Sequence, residues 1–104
     1  MDEIISEIKK AAARHYQIDR IILFGSRSRG DNSPRSDIDL AVYTSGDMFD
    51  FVDDIECSVP TLLEFDITDM RMELEPDFAE QIENEGIVIY DKENRRIKTE
   101  RIIL

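Results

Sequence analysis

Asp19-Arg20-Ile21-Ile22-Leu23-Phe24-Gly25-Ser26, followed ten residues later by Asp37-Ile38-Asp39-Leu40-Ala41-Val42-Tyr43, is the stretch that decides the fold of this chain. Residues 19–24 read as a mostly buried strand. Gly25-Ser26 ends it abruptly. Glycine permits a backbone geometry closed to other residues and leaves room for a ligand to approach closely. Serine adds a hydroxyl beside freed backbone N–H groups, which face an anion if the chain turns helical there. Residues 27–36 are polar and include Gly30, Asn32, Ser33 and Pro34, the composition of a loop with room for one helical turn. Residues 37–43 then alternate as a strand. Ile38, Leu40 and Val42 share one face; Asp37, Asp39, Ala41 and Tyr43 share the other.

Asp37 and Asp39 therefore point the same way, with backbones roughly 6.5–7 Å apart. Two ionised carboxylates that close repel unless they are paired. A divalent metal removes the conflict, and an oxygen-rich site suits Mg²⁺ shared with substrate phosphates. Two such ions clamp the attacking and leaving oxygens of a phosphoryl-type displacement. The competing reading is a pair of edge-strand acids that deter aggregation. The pair alone does not decide between them.

The flanking sequence completes an alternation of helices and strands. Residues 2–16 predict a helix, with Ile4, Ile5, Ile8, Ala11, Ala12 and His15 at helical spacing. Residues 47–58 predict another, striped by Met48, Phe51, Val52 and Ile55. Residues 62–67 read as a third strand. A helix over 76–85 opens at Pro76 and stops at Gly86. Residues 87–90 form a fourth strand, and 91–104 a flexible or partner-docking tail. The order implies one α/β (α+β) domain over residues 1–104, a mixed sheet of four strands flanked by helices.

Composition narrows the function. The 104 residues carry a formal net charge of −11, which argues against sequence-independent nucleic-acid binding. No apolar run reaches the ~20 residues a membrane span needs, and the acidic start Met1-Asp2-Glu3 is unlike a secretory leader. A cytoplasmic location is expected. Between Asp47 and Asp91 lie fifteen acids and a single base, Arg71. A solvated surface explains such a run most simply; a face for a basic protein partner is the sharper reading. Cys57, the sole cysteine, sits in an apolar-periodic stretch and is expected to be buried. His15 suits a cation or capping role near a helix end.

The combination of Gly25-Ser26, ten residues and Asp37-Ile38-Asp39 resembles the signature of the DNA polymerase beta-like nucleotidyltransferases. The run Leu23-Phe24-Gly25-Ser26-Arg27-Ser28-Arg29-Gly30, continued by Ser36-Asp37-Ile38-Asp39-Leu40, resembles their minimal nucleotidyltransferase branch. That resemblance implies that Asp37 and Asp39 hold Mg²⁺, with two ions expected, and that Gly25 and Ser26 bind the β- and γ-phosphates of ATP. Arg27, Arg29 and Ser36 are further candidates for the nucleotide; a surface role for the arginines and a turn role for Ser36 compete. The family places a third carboxylate on a neighbouring strand. Alternation of 62–67 puts Glu64 and Asp66 on one face, opposite Leu63, Phe65 and Ile67; Asp66 is taken as the third carboxylate, with Glu64 and Asp69 as competitors. Asp66 would complete the metal site and act as general base on the attacking hydroxyl, or position it.

The resemblance further implies an antitoxin that moves AMP from ATP onto a tyrosine of a HEPN-domain ribonuclease toxin, as part of a hetero-oligomer without direct nucleic-acid or membrane contact. Two alternatives use the same motif: transfer to a small molecule such as an aminoglycoside, or a non-catalytic binding partner of a HEPN protein. The shortness of the chain counts against the first, because a small acceptor needs a walled pocket. The intact motif counts against the second.

Overall fold

In the computed structural model, residues 2–31, 33, 35–59 and 61–93 are described. The elements run α1 (Asp2–Arg14), β1 (Ile18–Phe24), α2 (Ser26–Arg29), β2 (Ile38–Thr44), α3 (Phe49–Ser58), β3 (Phe65–Asp69), α4 (Pro76–Glu85) and β4 (Ile87–Asp91). The strands form one mixed sheet in the order β3-β2-β1-β4. β1 is antiparallel to both β2 and β4, while β2 and β3 are parallel. A parallel pair needs a crossover, and α3 supplies it. The expected α+β architecture is thus present. The segment beyond residue 93, most of the expected tail, lies outside the described residues.

Strand alternation sorts the side chains into two layers. Ile38, Leu40 and Val42 of β2 join Ile21 and Leu23 of β1 in the larger core, under Ile8, Ala11 and Ala12 of α1 and Phe51 and Ile55 of α3. On the opposite face, Ile22, Phe24 and Ala41 meet Ile82 of α4, with Phe78, Met70, Leu74 and Tyr43 packed around them. Each fully buried aliphatic or aromatic side chain contributes about 1.5–3 kcal/mol, so the sheet is held mainly by its α1/α3 face. The smaller core covers only part of the second face, where Asp39 of β2 is only partly buried and Asp66 of β3 is exposed.

Four expectations are corrected. α1 ends at Arg14 rather than residue 16, because the chain turns at once to enter β1, with the Ile18 amide bonded to the His15 carbonyl at 3.0 Å. β3 starts at Phe65 rather than residue 62. The Leu63 amide donates to Thr61 Oγ1 at 3.0 Å, a local turn that competes with sheet pairing, and Leu62 is left fully in solvent. The same strand runs on to Asp69, placing that residue inside the sheet. Cys57 is exposed, because the inward stripe of α3 is Phe51 and Ile55, continued by Val59, and a residue two positions beyond Ile55 faces out.

Gly86 does follow α4, but its backbone is extended (φ −71°, ψ 147°) rather than left-handed. A Cβ there would strike Ile22 Cγ2 and the Ile82 carbonyl. Glycine is required for close passage between helix and sheet. His15 meets the Phe51 ring edge-on at 5.9 Å and places Nε2 2.8 Å from Asp54 of α3, so it ties α1 to α3. Among the described residues no helix is long and apolar enough to cross a membrane.

Candidate active site

The site is assembled where β1, β2 and β3 lie side by side. Phe24, the last residue of β1, is in register with Asp39 of β2. Asp39 is in turn in register with Asp66 of β3. Gly25 follows Phe24 with φ 78° and ψ −155°, a region populated almost only by glycine. A Cβ on it would collide with Asp39 Oδ2, and would lie 3.2 Å from Asp39 Cγ. Gly25 therefore serves two needs: the chain must turn sharply there, and the Asp39 carboxylate occupies the space beside it.

Two acids act electrically on Asp39. Burial first, then the charges of Asp66 and Asp37, push its carboxyl above the ordinary range. A side-chain hydrogen bond with Asp66 adds to the rise, and the charge of Arg29 opposes it. Asp66 and Asp37 are themselves exposed. Asp69, although on the same strand, alternates to the Phe65/Ile67 face and is claimed by Arg71, whose Nη2 donates to it at 2.8 Å. That ion pair holds the Asp69 carboxyl below its usual range. Glu64 stands one pleat before Asp66 and lines an open cavity of about 300 Å³ with Glu56, Thr61, Leu63 and Phe65.

The turn between β1 and β2 is tied down residue by residue. The Ser28 and Arg29 amides both donate to the Gly25 carbonyl at 3.2 Å, and Ser28 Oγ donates to it at 2.9 Å. Ser26 opens α2, half-buried beside Gly25. Arg27 donates to the Ser36 carbonyl through Nε (3.1 Å) and Nη2 (2.8 Å), linking α2 to the residue before Asp37. Ser36 Oγ accepts from the Ser33 amide at 3.0 Å. Arg29 donates to Asp31 at 3.1 Å and to Glu85 of α4 at 2.8 Å. Gly25, Asp39 and Asp66 are thus brought together, with Asp37, Ser26 and Arg29 around them. Arg27 and Ser36 are engaged in the turn itself.

Glu85 belongs to no motif in the sequence. The one available signal is that it is an acid in the last turn of a helix, where the helix dipole disfavours negative charge.

The donor set consists entirely of carboxylate oxygens, and its negative charges crowd one another. That is chemistry a hard divalent cation such as Mg²⁺ relieves. Among the described residues no three side chains are gathered into a ready metal cage. One or two carboxylates completed by substrate phosphates is the usual Mg²⁺ arrangement, and Asp39 with Asp66 fits it.

Residues 6–95 match the family described as "Polymerase beta, Nucleotidyltransferase". No curated protein matches the chain in sequence. Several solved structures share its fold. A toxin–antitoxin structure with AMP-PNP superposes with a TM-score of 0.67 at 21% identity, over 95% of this chain and 83% of that one. A chain of the MntA-HepT toxin–antitoxin gives 0.63 at 18%, covering 91% and 76%. A chain of the tri-AMPylated Shewanella oneidensis HEPN toxin in complex with its MNT antitoxin gives 0.60 at 19%, covering 89% and 74%. At such identities the likeness is one of fold.

Proposed function

The chain belongs to the polymerase beta nucleotidyltransferase family, and on that premise we propose that it transfers AMP from ATP to a tyrosine of a HEPN-type ribonuclease toxin and so acts as its antitoxin. The observation that carries this reading is the side-by-side placement of Gly25, Asp39 and Asp66 at neighbouring strand positions. Asp39 and Asp66, with Asp37 beside them, would hold Mg²⁺, which when bound neutralises the triphosphate and the reacting oxygens. Gly25 and Ser26 offer backbone and hydroxyl groups to the phosphates. Arg29 adds a cation beside Asp39.

In the proposed reaction the tyrosine oxygen attacks the α-phosphorus of ATP. A new phosphorus–oxygen bond forms, the bond to the bridging oxygen breaks, and pyrophosphate leaves. Asp66 takes the phenolic proton, or orients the hydroxyl that loses it. Two features support a protein acceptor over a small one. Asp66 lies on an edge strand, exposed and approachable by a large surface. The acidic residues between Asp47 and Asp91 would attract a basic partner such as an RNA-cutting protein. The fold-mates with AMP-PNP and with an AMPylated toxin are consistent with the same chemistry.

The test is incubation of the chain with α-labelled ATP, Mg²⁺ and a HEPN-fold partner encoded beside it. Label should appear on a partner tyrosine with wild-type chain and not with Asp39→Asn. A partner left unlabelled by the wild type would sink the proposal.

A further inference from the structure

Helix α4 grips the β1–α2 turn on both sides. Ahead of the turn, the Phe24 ring meets Phe78 edge-to-face at 5.7 Å. Behind it, Arg29 closes α2 and donates Nη1 to Glu85 Oε2 at 2.8 Å, while its Nε reaches Asp31 Oδ2 at 3.1 Å. Glu85 is itself fixed. Gln81 Nε2 donates to the same oxygen at 3.3 Å, and Ile82, on the same helix, is fully buried against the sheet. An acid in the last turn of α4 works against the helix dipole, so local helix energetics do not explain it.

What Glu85 does is restrain Arg29. An arginine whose side chain is 39% exposed would otherwise sample many rotamers. Two carboxylates on one guanidinium fix the plane of its fork. Arg29 closes the turn that Gly25 opens, its amide donating to the Gly25 carbonyl at 3.2 Å, which anchors it next to the residue that packs against Asp39.

We propose that Glu85 is a positioning residue for the nucleotide: through Arg29 it holds a guanidinium, already oriented, beside the Gly25-Asp39-Asp66 cluster for the triphosphate to meet. Glu85 itself touches no substrate. The inference rests on the reading of this site as one for ATP.

The experiment titrates the full chain with a fluorescent ATP analogue (mant-ATP) in the presence of Mg²⁺. Wild type, Glu85→Gln, Arg29→Ala and the double variant are compared, and each is melted in parallel. Glu85→Gln should weaken binding about 3- to 5-fold, the range an exposed charge pair supports, with Tm within about 2 °C of wild type. Arg29→Ala should weaken binding at least as much, and the double variant no more than Arg29→Ala alone. Unchanged or tighter binding by Glu85→Gln overturns the proposal, as do losses that multiply in the double variant. A loss matched by a fall in Tm also overturns it, because it marks a structural role. Failure of the wild type to bind the analogue overturns the ATP reading and this inference with it.

Discussion

Asp39 of β2 and Asp66 of β3 stand directly opposite each other across a parallel strand pair, and the charge of Asp66 helps push the Asp39 carboxyl above its ordinary range. Two carboxylates facing each other at paired strand positions repel unless a proton or a cation lies between them. The fold thus builds in a repulsion that favours a cation at this point.

That repulsion makes opposite predictions for stability and for activity. The folded chain holds the Asp39 proton to a higher pH than the unfolded chain does. Stability therefore falls as pH rises from the ordinary carboxylate value through the elevated one, and stays reduced above it. Asp39→Asn escapes this loss. At neutral pH its Tm should equal or exceed that of wild type by about 1–3 °C, with the gain shrinking toward pH ~4. AMP transfer should drop by about 100-fold or more. Thermal melts across pH, run beside the labelling assay, check both; a Tm below wild type at neutral pH would contradict the account.

Gly25→Ala should damage both stability and binding. The backbone strain alone costs about 1–3 kcal/mol, and the new methyl displaces the Asp39 carboxylate. A Tm lower by several degrees and mant-ATP binding weakened about 10-fold are expected. Gly30→Ala is the control. Gly30 also has positive φ (82°), but nothing lies within 4 Å of its would-be Cβ. It should lose stability with little loss of affinity, which calorimetry and titration separate.

Asp54 predicts an acid-sensitive joint between α1 and α3. Arg14 (2.9 Å), His15 (2.8 Å) and Ser58 (3.0 Å) surround its carboxylate. Chiefly through Arg14, they hold it well below the usual range. The stabilisation is present above the ordinary carboxylate pKa and fades as pH falls from there toward the depressed value. Asp54→Asn should cost about 1 kcal/mol at neutral pH, discounted because Arg14 is half exposed. The gap to wild type should narrow in acid. Urea melts at several pH values measure it, and a gap that widens in acid would refute the assignment.

Cys57 should react with one equivalent of a maleimide in the folded protein, without a denaturant and without a change in Tm beyond about 1 °C. Mass spectrometry of the native chain reads this directly. A thiol that labels only after unfolding would place it in the core instead.

Much of this architecture is legible in local pattern. The period-two alternation of Ile38, Leu40 and Val42 against Asp37, Asp39 and Ala41 announces a half-buried strand and the face its acids share. The same alternation places Asp66 opposite Phe65 and Ile67. Other features mislead for identifiable reasons. Leu62-Leu63 looks like the start of a strand, yet Thr61 Oγ1 takes the Leu63 amide out of the ladder. Gly86 does stop α4 as read, but the reason it is glycine, that Ile22 and the Ile82 carbonyl leave no room for a Cβ, is not visible in the sequence. Cys57 looks like core, yet one helical stripe already fills the space under α3.

The sequence by itself determined which segments are helix or strand and which side chains share a face, because those relations span two to four residues and follow from local chain geometry. It also placed Gly25-Ser26 and Asp37-Ile38-Asp39 at the ends of adjacent elements. Only the tertiary structure decided that Asp39 sits against Gly25 on one side and Asp66 on the other, since strand register is set by packing across the whole sheet. It alone joined Arg29 to Glu85, 56 residues apart, and Arg14 to Asp54, 40 apart. Such pairs arise when helices dock on a common sheet, and no short-range pattern in the chain encodes where two docked surfaces meet.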